Sequence, residues 1–315
     1  MAPGDVALAL VTVVLWGAAF VATRIGLDSF SPAQLVALRF LIAAAPALFV
    51  GRPPVAWPVL IAGGLTLYAG QFLCQFFGIA SGMPPGLASL VVQTQALFTV
   101  LFAALVLRER PTARQWLGLG VASTGLVVIG ATAHTGGTAG SALTLLGFGL
   151  TLVSPISFAI GNVYLKKIGA QTIGGTTDLA VVAWMSLVPP LPALVLSLVF
   201  DGAGDIPRAV VAAPSAGWVA ALSLGVLATV VAYTIWGTLL RRYPVATVAP
   251  FALLVPFVGA LSSALVLGER FGPLRLLGMA CVLVGLAVIV LPVQRHSRRA
   301  RIHSGPGAPG GLGGR

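Results

Sequence analysis

Charged residues are scarce in this sequence. Lys, Arg, Asp and Glu together make up 8% of the 315 residues, whereas a soluble domain has about a quarter. Hydrophobic residues make up 58% of the chain and the mean hydropathy is +1.02. This composition excludes a water-soluble fold. The net charge of +11 is therefore interpreted as a signal of membrane topology, and no nucleic-acid partner is predicted.

Groups that support catalysis or metal binding are also lacking. Cys74 and Cys281 are the only cysteines, and each lies in an apolar run, so neither a disulfide framework nor a thiolate metal site is predicted. No Asp, Glu or His lies well inside an apolar segment. A buried-carboxylate proton relay is therefore not apparent, and no phosphate-binding loop motif is present. The sequence predicts that the chain is not an enzyme and has no cofactor.

What the sequence does contain is a succession of long apolar runs. A transmembrane helix needs about 20 apolar residues, and a lipid-exposed backbone must satisfy its hydrogen bonds internally. The pattern predicts an all-α integral membrane protein with ten transmembrane helices. The predicted spans are Val6–Thr23, Pro32–Val50, Trp57–Ile79, Leu87–Leu107, Trp116–Ala133, Leu143–Leu165, Leu179–Val199, Trp218–Leu240, Val245–Leu267 and Leu274–Leu291.

The basic residues between these spans predict an orientation. Lys and Arg that flank transmembrane helices are retained in the cytoplasm. If the N-terminus is cytoplasmic, the opposite side holds only Arg24, Arg208, Arg270 and Arg275, and the other basic residues outside the spans lie with the N-terminus. Both termini are therefore predicted to be cytoplasmic. The last segment, 294–315, is basic and rich in Gly and Pro, which predicts a disordered tail that could contact anionic lipid.

An internal repeat is visible when the chain is shifted by 160 residues. Ala104–Arg110 falls on Ala264–Arg270, Gly118 falls on Gly278, and Gly125 falls on Gly285. This pattern predicts a duplicated five-helix unit, with halves at 1–141 and 142–293. Because five is odd, the second half would enter the membrane in the opposite orientation, as in many secondary transporters. The shared glycines predict close helix packing, and a homodimer through the fifth and tenth helices is a further possibility.

Several short motifs carry a family resemblance. Leu15–Phe20 reads LWGAAF, Leu38–Phe40 reads LRF, and Glu-Arg occurs at 109–110 and again at 269–270. In these motifs the chain resembles the EamA-like branch of the drug/metabolite transporter superfamily. More narrowly, Gly82–Val91, Gly161-Asn162 with Lys166-Lys167, and Ile235–Leu240 resemble bacterial exporters of cysteine and O-acetylserine.

The resemblance implies a function. The expected protein is a secondary transporter that exports a small amino-acid-like metabolite across the bacterial inner membrane by alternating access. Its partners would be that small-molecule substrate and membrane lipid. Two alternatives remain open: a multidrug efflux transporter of the same superfamily, and a membrane scaffold that transports nothing.

Arg39 is the ionisable group inside a predicted span, and such groups in lipid are costly and usually functional. Its guanidinium could bind a substrate carboxylate through two hydrogen bonds. It could equally extend to the membrane surface or bind backbone carbonyls as a structural contact. Glu109 and Glu269, at the ends of the fourth and ninth spans, are expected to pair with neighbouring Arg residues at the surface.

Uncharged polar and aromatic residues complete the predicted substrate site. Gln71 and Gln75 are one helical turn apart and share a face. Gln93 and Gln95 would lie about 200° apart around a continuous helix, so at most one could line a cavity; Gln93 is preferred. Each residue could instead make contacts between helices. The predicted substrate-binding residues are Arg39, Gln71, Gln75, Gln93, Asn162, Trp16, Tyr233 and Trp236.

Overall fold

The computed structural model describes residues 1–106, 111–133, 143–171 and 177–291, which fold as helices joined by turns. We number the helices in chain order. They are α1 (Pro3–Gly26), α2 (Pro32–Ala44), α3 (Trp57–Ala80), α4 (Pro85–Val92), α5 (Gln95–Val106), α6 (Ala113–Ala131), α7 (Leu145–Gln171), α8 (Asp178–Met185), α9 (Pro190–Phe200), α10 (Asp205–Ala212), α11 (Ser215–Arg242), α12 (Val245–Ala252), α13 (Val255–Leu267) and α14 (Pro273–Val290).

Eight helical segments in the described part of the chain are long and apolar enough to cross a membrane. They are α1, α3, Pro85–Phe102, Leu145–Gly169, Asp178–Phe200, α11, Thr247–Leu267 and α14. The other two predicted spans are also helical: Pro32–Leu48 is apolar but shorter, and α6 has 19 residues. The all-helical membrane class is thereby confirmed. The tail and Glu109 lie outside the described residues.

The helix beginnings follow from local sequence. Ser31 caps α2 by accepting a hydrogen bond from the backbone of Gln34, whose side chain accepts one in return from the Ser31 backbone. Thr112 and Gln115 form the same reciprocal cap at α6. Such caps satisfy backbone N–H groups that have no partner within the helix. Ser31 also donates to Asp201 at 2.5 Å, which ties the start of α2 to the end of α9.

Irregular backbone recurs at equivalent places in the two predicted halves. A π-helical stretch interrupts α3 at Gly64–Gly70, and another interrupts α11 at Ser223–Val231. The fourth predicted span breaks between α4 and α5 at residues 93–94, and the ninth breaks between α12 and α13 at residues 253–254. A shift of 160 residues superimposes each pair. The sequence predicted a continuous fourth span, because residues 93–94 contain no proline or glycine.

Glycines bring α6 and α14 into backbone contact. A Cβ atom on Gly125 would lie 2.6 Å from the Gly278 carbonyl oxygen, and one on Gly285 would lie 2.6 Å from the Ala122 nitrogen. The glycine-lined faces therefore pack against each other within one chain. The homodimer through these helices stays a prediction, and it would have to use their outward surfaces.

Two buried clusters surround the predicted site. One contains Phe40, Leu67, Phe76 and Leu224 and joins α2, α3, α8, α9 and α11. The other joins α1, α4, α6, α7, α13 and α14 through residues such as Leu90 and Leu286. Each cluster therefore combines helices from both predicted halves, so the core crosses the boundary between them.

The glycine contact yields a prediction about stability. Gly125→Ala should destabilise the protein by about 1–3 kcal/mol, because the added methyl group meets backbone that cannot move aside. Gly120→Ala is the matched control, because a Cβ there meets nothing within 4 Å and alanine favours a helix. Thermal unfolding of purified protein in detergent measures both. Equal unfolding temperatures for the two variants would contradict the packing.

Candidate functional site

Arg39 is buried on α2. Its side chain is 2% exposed, and the guanidinium carbon lies 3.9 Å from the centre of the Phe72 ring. Its Nε–H donates to the Thr229 hydroxyl at 2.9 Å, and the described residues show no other hydrogen bond or ion pair for this side chain. The structure therefore places a cation among apolar helices with one polar partner and an aromatic surface, and Arg39 does not extend to the membrane surface.

Four aromatic residues form a continuous group next to Arg39, which we call the aromatic wall: Trp16, Tyr68, Tyr233 and Trp236. The Tyr233 ring lies 5.1 Å from Trp16 and 5.6 Å from Tyr68, and Trp16 lies 5.2 Å from Trp236. Tyr68 stacks on the Phe40 ring at 5.0 Å, and the Arg39 guanidinium carbon lies 5.5 Å from the centre of that ring. The wall therefore extends from α1 across α11 to α3 and ends at the buried cation.

The π-helical stretches supply partners for this group. Thr229 lies in the π segment of α11 and donates to the carbonyl oxygen of Leu224, five residues earlier, at 2.8 Å. Trp16 Nε1 donates to the Ala228 carbonyl oxygen in the same segment at 3.1 Å. Tyr68 lies in the π segment of α3. Such segments are frequent at functional sites because they free backbone groups and redirect side chains.

A second polar group lies at the break in the fourth predicted span. Gln93 donates to the carbonyl oxygen of Ala252, which ends α12, and Gln95 donates to Gln93 at 3.4 Å. The expected separation of about 200° between the two amides is wrong, because the helix is interrupted between them. One helix break therefore contacts the other, and the Gln95 Oε1 atom is buried with no partner in the described structure.

The remaining predicted residues are amides, and among the described residues none of them is hydrogen-bonded to the aromatic wall. Asn162 donates to the Thr99 hydroxyl at 3.2 Å, which joins α7 to α5. Gln71 and Gln75 are both buried on α3, and Gln71 Oε1 has no hydrogen-bond partner among the described residues. The structure thus brings Arg39 together with Trp16, Tyr233 and Trp236. The hydrogen bonds that it shows for the amides of Gln93 and Asn162 go to Ala252 and Thr99 instead. Substrate binding by these residues stays a prediction.

Tyr68 and Thr229 were not among the residues predicted for the site. Tyr68 precedes Gln71 by three residues, and Thr229 precedes Tyr233 by four, so helical spacing could have placed both on the faces already chosen. Glu269 was also placed wrongly. It is 7% exposed and accepts a hydrogen bond from the backbone N–H of Gly86 at 2.9 Å, rather than pairing with an arginine at the surface.

Ion pairs close the end of the bundle where α1 begins. Arg242 contacts Asp5 at 2.9 Å, and Arg241 contacts Asp178 at 2.6 Å. Tyr243 also donates to Asp5 at 2.6 Å. These contacts fasten the end of α11 to the beginnings of α1 and α8. In the described residues no group of three or more His, Cys, Asp or Glu side chains could hold a metal ion.

Comparison with known proteins places this geometry in a family. The model of the EamA-like transporter family matches the chain twice, over residues 5–131 and 145–291. The chain belongs to the EamA-like transporter family. It is therefore a multi-pass membrane transporter in class, and the family indicates no enzymatic activity. The two matched ranges divide the chain where the predicted halves meet.

Curated relatives cover nearly the whole chain. A probable amino-acid metabolite efflux pump of Escherichia coli (strain K12) is 40% identical over 295 residues, which are 93% of this chain and 97% of that one. A probable terminal-alkyne amino-acid exporter of Streptantibioticus cattleyicolor is 31% identical over 95% of this chain and 96% of its own. A solved crystal structure matches with a TM-score of 0.60 at 20% identity, over 90% of this chain and 96% of the other, which shows a shared fold.

The contact between Arg39 and Thr229 yields a second prediction. Thr229→Val keeps the shape of the side chain but removes the hydroxyl, which should cost about 1.5–3 kcal/mol because a charged donor loses its partner. Thr229→Ser keeps the hydroxyl and should remain close to the wild type. Thermal unfolding in detergent compares the two variants. A Val variant as stable as the Ser variant would show that the hydrogen bond contributes little.

Proposed function

We propose that this transporter exports a small amino-acid-like metabolite, of the cysteine or O-acetylserine type, across the bacterial inner membrane. The observation that carries the proposal is the buried Arg39, which has no carboxylate partner among the described residues. A buried charge is costly unless it is paired. A buried cation of this kind is stabilised most by an anionic group of the substrate. An α-carboxylate can accept two parallel hydrogen bonds from a guanidinium.

The aromatic wall fits the rest of such a substrate. An ammonium group within about 6 Å of an aromatic ring is attracted by the ring electrons, by about 2 kcal/mol when water is absent. Trp16, Tyr233 and Trp236 are half-buried and lead towards Arg39. A zwitterion would place its carboxylate at Arg39 and its ammonium group against these rings. Gln71 and Gln95 have buried amide oxygens that find no partner among the described residues, and they are the proposed contacts for a polar side chain.

The names of the relatives favour an amino-acid substrate over a lipophilic drug. Two relatives are named probable amino-acid metabolite efflux pumps and a third is named a probable terminal-alkyne amino-acid exporter. The buried cation supports the same choice, because a substrate carboxylate can pair with a guanidinium, whereas a neutral lipophilic drug has no group that compensates a buried charge. Export as the direction of transport also rests on these names.

The proposed mechanism is alternating access between two inverted five-helix halves, with ten transmembrane helices in all. Two observations support it: the doubled family match, and the pairs of π segments and helix breaks that coincide at a shift of 160 residues. Broken helices near the middle of a span are common at transporter substrate sites. The contact between Gln93 and Ala252 joins the two breaks and would change as the halves move.

Counterflow in liposomes tests the substrate class. Purified protein should exchange labelled cysteine and O-acetylserine, whereas Arg39→Gln should lower this exchange by about ten- to a hundredfold, because a hydrogen bond to a charged group is lost. Exchange of cysteamine, which lacks the carboxylate, should be changed much less by the substitution. Arg39→Lys is the matched control, because it keeps the positive charge but cannot form two parallel hydrogen bonds. Its exchange of cysteine should therefore fall between those of the wild type and Arg39→Gln.

The same assay separates the alternatives. Exchange of a panel of lipophilic drugs without exchange of amino acids would indicate a multidrug transporter. No exchange of any labelled solute by well-folded protein would indicate a scaffold. Equal losses for cysteine and cysteamine in Arg39→Gln would give Arg39 a structural role, because the comparison within one variant removes any effect of folding.

The proposed topology makes a separate prediction. Fusions of alkaline phosphatase to either chain end should be inactive in bacteria, and fusions of green fluorescent protein should be fluorescent, because both ends are proposed to be cytoplasmic. Phosphatase inserted after Asp28, in the turn between α1 and α2, should be active and serves as the positive control. Reporters that place the two ends on different sides would overturn the even number of spans.

A further inference from the structure

A buried carboxyl group joins the two predicted halves at the end of the bundle where α1 ends. Glu269 follows Gly268, whose left-handed φ of 67° turns the chain back after α13. Its Oε2 atom accepts hydrogen bonds from the Gly86 backbone N–H at 2.9 Å and from the Ser263 hydroxyl, and the Leu87 N–H also stabilises the carboxyl group. We call this contact between α4 and α13 the Glu269 clamp.

The clamp is tightly packed. A Cβ atom on Gly86 would lie 2.6 Å from the Phe271 ring and 3.0 Å from Glu269 Oε2. Beyond the clamp, one on Gly259 would lie 2.4 Å from the Ser89 hydroxyl and one on Gly17 would lie 2.6 Å from Val258. At these points α1, α4 and α13 are in direct contact, which closes the way from this end of the bundle to the interior while the clamp holds.

The two oxygens of Glu269 are in unequal environments. The Gly86 N–H and the Ser263 hydroxyl both donate to Oε2, whereas Oε1 is buried and has no partner in the described residues. An ionised carboxylate would leave a charged oxygen buried without a hydrogen bond, which is costly. A neutral acid lowers that cost, because a proton on Oε1 removes the charge while Oε2 continues to accept the same hydrogen bonds as a carbonyl oxygen, and a buried neutral O–H group costs less than a buried charge.

Water can reach the wall of this site. Glu269 lines a cavity of about 340 Å³ together with Arg24, Asp28, Gly82, Met83 and Leu267. If the clamp opens, the carboxyl group gains access to that water and can ionise at little cost. Opening is therefore expected to release a proton, and closing to take one up.

We propose that Glu269 is a proton-binding site, with the proton on Oε1, and that the bound proton holds the clamp closed. The site gives the transporter a pH-dependent gate at this end of the bundle. The role as a gate rests on the proposed transport function, whereas the binding of the proton and its effect on the clamp do not.

The surrounding charges are few. Arg24 and Asp28 at the end of α1 pair with each other at 2.6 Å, Arg270 is exposed, and α4 and α13 carry no titratable side chain. Burial raises the pKa of Glu269, and it outweighs the opposing effects of the Ser263, Gly86 and Leu87 hydrogen bonds and of the charge on Arg275. A carboxyl group with a raised pKa in the closed state stabilises that state at low pH, and the stabilisation is lost as pH rises through this pKa.

Hydrogen–deuterium exchange of the purified full chain in detergent tests the proposal without any substrate. Peptides that cover residues 84–92 should be protected at low pH and should exchange faster as pH rises, beyond the intrinsic pH effect measured on peptides from α6. The opening equilibrium should change by at most about tenfold per pH unit, the limit for release of one proton. Glu269→Gln should keep the low-pH protection at every pH, because glutamine can accept the same hydrogen bonds and cannot ionise.

Two further variants make the test specific. Asp28→Asn removes the other carboxyl group of the cavity and should leave the response unchanged. Ser263→Ala removes a donor that favours the charged form, so the transition should move to higher pH. A pH-independent wild type would overturn the proposal, and so would a response lost in Asp28→Asn but kept in Glu269→Gln. A Ser263→Ala variant whose transition stays at the wild-type pH would leave Glu269 a purely structural contact.

A failed clamp and a failed transport function give different results. If counterflow is absent but the pH response depends on Glu269, the proton site stands and the proposed function falls. If counterflow is present but hydrogen exchange of residues 84–92 does not depend on pH, the proposed function stands and the proton site falls.

Discussion

The cation at Arg39 is the constraint on which the rest of the site depends. A guanidinium inside lipid is stable only if the protein surrounds it with groups that compensate for lost water. Here the Phe72 ring covers one face of the guanidinium and the Thr229 hydroxyl accepts from Nε. Holding a hydroxyl and a stack of aromatic rings at one point requires α2, α3 and α11 to converge, so a single charge determines how these three helices meet.

The irregular segments follow from the same constraint. A regular helix directs each backbone carbonyl group along its own axis, where it already accepts a hydrogen bond from an N–H group. The π segment of α11 leaves the Ala228 carbonyl free for Trp16 and turns Thr229 towards Arg39. The π segment of α3 contains Tyr68. The irregular hydrogen bonding of the π segments thus provides the polar partners that a membrane interior lacks.

The sequence was a good guide to what hydrophobicity and steric contact determine. Ten apolar runs each correspond to helix in the described structure, because a backbone in lipid has few alternatives to a helix. The repeated glycines at 118 and 278, and at 125 and 285, did predict close packing. Arg39 was found because a charge in an apolar run is conspicuous.

What the sequence did not reveal depends on partners distant in the chain. The break after Gln93 carries no proline, and it is matched by a contact with Ala252 about half the chain away, so the relation between Gln93 and Gln95 was mispredicted. Glu269 looked like a surface residue because an arginine follows it, whereas its partners are Gly86 and Ser263. Local pattern identifies such residues but cannot assign their contacts.

The backbone contact between α6 and α14 would limit how the two proposed halves can move. Glycine faces at van der Waals distance allow neither helix to slide, since any translation would drive a carbonyl into the opposing chain. Rotation about the line of contact is the motion that preserves it. These two helices would then form the rotation axis, and the displacement of each half would be largest at the helices farthest from that axis.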